Sequence, residues 1–417
     1  MGAYYRPYFF RISLPFIVDK DISKYESQNL ARFVHEYIHF LQNLYTPWGL
    51  FTSFQSYARI TRALEEIRHN PEQDIHIPFK GKVSDHDKWF GKVYTEGEGK
   101  RFSENNNDID NVAFKSNTLI KFRRVRKDGG KPVVILDVDT VPYGKQEIIL
   151  GAWIIKESMA QIIQTSIFVD DNEDVRAKVV PYDVVSIICS QYAPSVRNDL
   201  SKQVAICWGA LFSMNPGEAL LDLLDFAERN PELSASEIFK HHITISRIKI
   251  KSVERTVSFE DFMLDIRKRF LQHLDAFLGM SCNYFKNILS DRSIQNVLSL
   301  ILKFIGNNDP LKIDSVINDL GMPVVFGDGN SSCIPFLEEE PDSMLPLMKL
   351  FGAELVYSFL DSKSCRCPLT EMCENDPTIE IQYDCISNPL MIEIDCPMHF
   401  ASQIMGVHGR NIDIDEE

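Results

Sequence analysis

The sequence predicts a mainly helical α+β protein, on three observations. Apolar residues recur at three-and-four spacing through much of the chain, and shorter alternating, β-branched segments fall near Tyr8–Val18 and between Asp74 and Asp139. From Cys365 onward the chain is dominated by cysteine instead. With 417 residues, 44% of them apolar and 11% aromatic, more than one core is expected. Composition divides the chain into a core over 1–230, a helical extension over 231–360 and a Cys-rich module over 361–417.

Taken in order, Tyr8–Val18 reads as a strand that Asp19 to Asp21 break. A helix then starts near Ser23 or Ser27 and runs to about Tyr45, on an apolar stripe of Leu30, Phe33, Val34, Tyr37, Ile38, Leu41, Leu44 and Tyr45. A second helix, Phe51–Arg68, ends at Asn70-Pro71. Ile75–Phe79, Asn117–Arg126 and Pro132–Val138 read as strands, the last two joined into a hairpin by Lys127-Asp128-Gly129-Gly130. The polar stretch Glu96–Asp110 reads as an exposed, mobile loop.

Helix resumes at Lys145 or Gly151 and continues to about Phe168. Val184–Ser190, Ser201–Met214, Pro216–Glu228, Ser234–His242, Phe259–Leu278 and Ser293–Phe304 follow as helices, with Asn215-Pro216 and Ser258 as start signals. Beyond Asp309 the pattern becomes short and irregular.

A formal charge of −15 argues against nucleic acid or an anionic membrane as partner. The one dense basic run, Phe122–Lys127, reads as the solvated face of the hairpin. Met1–Arg6 lacks the pattern of a signal peptide, and no apolar run reaches the 18 residues or so that span a bilayer, so a cytoplasmic protein is expected. Nine cysteines are then expected as thiols or metal ligands, not disulfides.

The chemistry is concentrated in His35-Glu36-Tyr37-Ile38-His39, on the first long helix. His35 and His39 lie one turn apart, so both imidazoles can reach one tetrahedral zinc ion, and Glu36 stands where a general base would meet a zinc-activated water. The bland alternative is two histidines on a helix flank. Such a zinc needs a third protein ligand. Glu157, a carboxylate amid Trp153, Ile154, Met159 and Ile162, is costly to bury unless paired or metal-bound, and is the best candidate.

On these residues the chain resembles the gluzincin branch of the zincin metallopeptidases, in which a His-Glu-x-x-His helix is followed by a helix with a ligand Glu and, about three positions on, a small residue. Lys156-Glu157-Ser158-Met159-Ala160 fits that pattern, with Ala160 as the small residue. The resemblance implies a zincin-like core, peptide-bond hydrolysis, His35, His39 and Glu157 as zinc ligands, and Glu36 as general base. It covers about residues 8 to 230, with 117 residues between His39 and Glu157. An oxyanion donor would come from elsewhere, with Tyr182, Tyr192, His241 and His242 available.

Five of the nine cysteines fall within 32 residues, in a segment poor in apolar residues. A second, structural zinc is expected there, held by Cys367, Cys373, Cys385 and Cys396, with Cys365 and His399 as substitutes; buried thiols or an iron–sulfur cluster are the alternatives. The expected protein is a zinc metallopeptidase acting on a protein or peptide, and the rival is a catalytically silent zincin-like scaffold that binds a partner.

Overall fold

In the computed structural model the chain opens with two short antiparallel strands, β1 (Tyr4–Arg6) and β2 (Arg11–Ser13), where alternation predicts a single one. Phe10, with φ of 47°, turns the backbone between them. The structure describes residues 3–7, 9–79, 85–99, 112–115, 118–126, 132–141, 143–168, 179–245, 248–250, 255–257, 259–279, 283–290, 294–307, 309–328, 332–333, 344–362, 366–374, 385, 387–391 and 396–414.

Helix α1 (Ser27–Tyr45) follows, then α2 (Pro47–His69), β3 (Ile75–Ile77) and α3 (Asp85–Glu98). Thr46 is extended and ends α1, and Pro47 begins α2. Four strands come next: β4 (Val112–Phe114), β5 (Lys121–Arg126), β6 (Pro132–Val141) and β7 (Gly144–Leu150). Then come α4 (Ala152–Ile167), β8 (Val179–Val180), α5 (Val184–Tyr192), α6 (Leu200–Ala210), α7 (Pro216–Arg229) and α8 (Ala235–Ile245). The rest comprises β9 (Ile248–Ile250), β10 (Arg255–Val257), α9 (Phe259–Leu278), α10 (Asn283–Ser290), α11 (Ile294–Ile301), α12 (Pro310–Leu320), β11 (Val324–Phe326), β12 (Ser332–Cys333), α13 (Met344–Leu360), α14 (Thr370–Glu374), a helix over Pro397–Met405 and β13 (Ile412–Ile414). The protein is thus a mainly helical member of the α+β class.

Two compact units make up the chain. The first comprises Met1–Ser53, Lys88–Arg269 and Asn287–Pro335; the second comprises Phe54–Asp87, Phe270–Lys286 and Phe336–Glu417.

The first unit holds two of the larger sheets. One runs β1-β2-β11-β12, with β2 and β11 parallel. In the other, the long β6 is paired along one side by β7 and along the other by β5 and then β4, with β8 beyond β4. The β5–β6 hairpin is present as expected, and its turn, 127–131, lies outside the described residues, as does most of the Glu96–Asp110 stretch. Its basic strand faces acids: Arg123 meets Asp137 and Glu147, and Arg124 meets Glu218. Two of the four basic residues of the run, Arg123 and Arg124, are thus paired within the protein.

Helices α1 and α4 pack side by side in this unit, and α4 is buried over most of its surface, as its apolar composition requires. The seam under the start of α4 is closed by glycines. A Cβ on Gly151 would lie 2.5 Å from the Glu98 backbone, and one on Gly99, whose φ is +70°, would lie 2.5 Å from the Ile149 carbonyl oxygen. Asn215 stands at the N-cap of α7, yet its amide donates to the Pro132 carbonyl and makes no cap bond. Ser234 and Glu237 form a reciprocal capping box ahead of α8.

In the second unit β3 and β13 pair in parallel, and α13 packs on the Pro397–Met405 helix. Arg68 donates to the Met405 carbonyl, and Arg410 donates to those of Ile67, Asn70 and Gln73. These guanidinium bonds satisfy carbonyls at the end of α2, in the segment just after it and at the end of the Pro397–Met405 helix.

Candidate metal centre

On α1 the residues His35 and His39 project from one side, as a four-residue spacing dictates, and both are largely buried at their side chains. Glu157 reaches them from the second turn of α4. Their ligand atoms form a nearly equilateral triangle: His35 Nε2 to Glu157 Oε2 3.4 Å, His39 Nε2 to Glu157 Oε2 3.3 Å, and His39 Nε2 to His35 Nε2 3.3 Å. A tetrahedral ion bound at about 2.0–2.1 Å requires its ligand atoms about 3.3–3.4 Å apart. The side chains therefore already hold the spacing that one such ion demands, and this His-His-Glu group could hold a metal ion.

Electrostatics point the same way. Burial opposes a charge on His39, but the Glu157 carboxylate beside it outweighs burial and pushes its pKa up to about 9. Burial likewise opposes the Glu157 anion, and the two imidazoles hold its pKa well below the usual carboxylate range. The triangle is a place where positive charge is stabilised.

Glu36 faces the same cluster. Burial raises its pKa, the charge of Glu157 adds to that, and His35, His39 and a backbone N–H from Tyr5 in β1 pull the other way. It is a buried carboxyl group near the ligands but outside the triangle, which suits a proton carrier.

Of the four groups considered as oxyanion donors, Tyr182 stands beside the triangle, its ring centroid 6.0 Å from that of His35. Ser158 on α4 donates to the Pro181 carbonyl and so fixes the approach of that segment. The others are elsewhere: Tyr192 donates to the Ile120 carbonyl, His241 stacks on Phe226, and His242 is hydrogen-bonded to the Gly209 backbone. Glu147 and Glu218 are engaged by Arg123 and Arg124.

Sequence reasoning missed the groups behind the ligands. Gln42 accepts from or donates to both ligand helices, and Glu98 accepts from Trp48 Nε1 at 2.7 Å and Lys156 Nζ at 2.6 Å. Gln42, a polar side chain 1% exposed, is the kind of signal that singled out Glu157 and could have been read the same way.

Cys367, Cys373, Cys385 and Cys396 lie in the second unit, and none of them is in a disulfide. Burial pushes the Cys367 thiol up to about 11, and the other three cysteines are near enough that their charges add to it. Cys367 also accepts the Leu369 N–H, and Cys396 Sγ accepts that of His399 at 3.3 Å. Among the described residues, His35, His39 and Glu157 are the set already at single-ion spacing, and the cysteines are not. Cys365 lies outside the described residues.

The chain matches no protein-family model, no curated protein and no solved structure. No described helix is long and apolar enough to cross a membrane.

Proposed function

We propose that this protein is a zinc-dependent metallopeptidase of gluzincin type, with His35, His39 and Glu157 as ligands and Glu36 as general base. The observation that carries the reading is the ligand triangle, whose three sides of 3.3 to 3.4 Å match the spacing of ligands around a tetrahedral ion. A bound zinc would polarise the scissile carbonyl and acidify a water molecule. Glu36 would accept a proton from the attacking water and return it to the leaving amine, so that the carboxyl group would end as it began. Tyr182, whose ring centroid lies 6.0 Å from that of His35, is the residue assigned in this reading to donate to the oxyanion. The substrate class is a protein or peptide.

Glu36 separates this reading from that of a silent scaffold. Because it serves the water and not the ion, Glu36→Gln is expected to keep zinc and fold while lowering turnover about 10²–10⁴-fold or more. Wild type and variant are expressed in a bacterial host and new protein termini counted. Termini present only with wild type support the peptidase, and identical termini with identical biological effect leave the scaffold.

A structural zinc on Cys367, Cys373, Cys385 and Cys396 completes the proposal. It is supported by the gathering of three thiols around Cys367 and by backbone N–H bonds to two of the sulfurs, which stabilise thiolates. An ion there would draw the sulfurs inward to ligand spacing.

A further inference from the structure

Gln42 lies one turn beyond His39 on α1 and is 1% exposed. Its amide spans two contacts. One is to His39 Nδ1, 2.9 Å from Oε1; the other is from Nε2 to the backbone carbonyl oxygen of Lys156, 3.1 Å away on α4.

The chemistry of these groups leaves one arrangement. A backbone carbonyl can only accept, so the amide nitrogen must face α4 and the amide oxygen must face the imidazole. An amide oxygen can also only accept, so His39 Nδ1 must carry a proton. In the neutral ring that binds a metal, Nε2 is then the nitrogen whose lone pair is available, and that atom is the one 3.3 Å from both His35 Nε2 and Glu157 Oε2.

We propose that Gln42 is the positioning residue of this centre: it reads the α4 backbone one residue before Glu157 and converts that contact into the tautomer of His39. One amide thereby registers two ligands carried on separate helices. The inference rests on the reading of the site as a metal centre.

Two further observations support the assignment. The residue that Gln42 reads is itself pinned, since Lys156 Nζ donates to Glu98 at 2.6 Å and Trp48 Nε1 donates to the same carboxylate at 2.7 Å. Control is also confined to one ligand, because His35 Nδ1 is buried without a hydrogen-bond partner among the described residues. Outer partners of this kind are worth about 10–100-fold in metal affinity.

The experiment compares zinc dissociation constants, by chelator competition on the full chain, for wild type, Gln42→Met and Gln42→Glu. The Met variant keeps the volume and loses both polar contacts; the Glu variant keeps the acceptor for Nδ1–H and loses the donor to α4. Thermal melts report whether each is folded, and ¹⁵N-edited NMR of the zinc-loaded proteins reads which ring nitrogen of His39 keeps its proton. Expected are a loss of about 10–100-fold in Gln42→Met, a smaller loss, below tenfold, in Gln42→Glu, which gives up the α4 contact alone, and a protonated Nδ1 in wild type and the Glu variant. Wild-type affinity in a folded Met variant, or a Glu variant as weak as Met, overturns the role of Gln42 while leaving the metal centre standing. Should the Met variant fail to fold, the Glu variant decides: a His39 that binds zinc through Nδ1, or loses affinity tenfold or more, overturns the proposal. A wild type that binds no zinc at His35 and His39 removes the centre itself, and this inference with it.

Discussion

The imidazole Nε2 of His35 and the carboxylate Oε2 of Glu157 stand 3.4 Å apart although 122 positions separate them in the chain. Their meeting is the product of packing between α1 and α4, and Ala160 lies fully buried one turn beyond Glu157.

Glu157→Ala is therefore expected to weaken zinc retention by more than about 100-fold while the fold persists, since loss of a ligand exceeds loss of an outer partner. Ala160→Leu is expected to act on stability instead, lowering it by about 1–3 kcal/mol through overpacking. Chelator competition and thermal melts separate the two effects. Unchanged affinity in Glu157→Ala would mean that another residue completes the site.

Gly217 offers a test of sign. It lies in the first turn of α7, where alanine would ordinarily favour the helix by about 1 kcal/mol. Here a Cβ would stand 2.0 Å from the Leu150 carbonyl oxygen, at the end of the strand that leads into α4. Gly217→Ala is expected to lower the melting temperature; a rise would show that the backbone there yields.

His242 predicts the acid limb of stability. Burial, aided by the charge of His241 and opposed by the bond to the Gly209 backbone, lowers its pKa from 6.5 to about 4. Between those values the unfolded chain binds the proton and the folded chain does not. Stability is thus whole above pH 6.5 and falls as pH drops through the window to about 4, by up to about 3 kcal/mol. Denaturant titrations at several pH values should show a shallower decline in His242→Gln, and superimposable slopes would contradict the assignment.

Metal content tests the two-site scheme. Purified protein is expected to carry about two zinc ions per chain, one lost on changing His35 or His39 and the other on changing Cys373 or Cys396. Cysteine variants that keep full metal and full stability would leave the thiols as packing groups.

Much of this was legible in the sequence. The periodicity of α1 placed both histidines on one face, and the cost of a carboxylate in an apolar helix marked Glu157. Features that depend on tertiary contact were not. β7 was hidden because Lys145-Gln146-Glu147 suits a helix start as well as a strand, and its pairing with β6 decides the matter. α3 contains Gly91 and Gly97, which weaken a helical pattern, yet Gly97 is needed where a Cβ would press on the Trp48 ring at 2.1 Å. α13 is apolar on nearly every side and so shows little periodicity, and with α12 it fills a region that reads as irregular. The Asn215 cap failed because the Pro132 carbonyl, 83 residues away, claimed its amide.

The pairing of β7 with β6 runs rung by rung from Gly144 opposite Thr140 to Leu150 opposite Val134, and Gly151 alone joins it to α4. A change of one residue in that run would turn the following helix by about 100° and carry Glu157 off the histidines. The span 144–156 thus acts as a ruler. Substitutions along its exposed side chains should be tolerated, whereas a single insertion or deletion should silence the site without altering any residue that touches it.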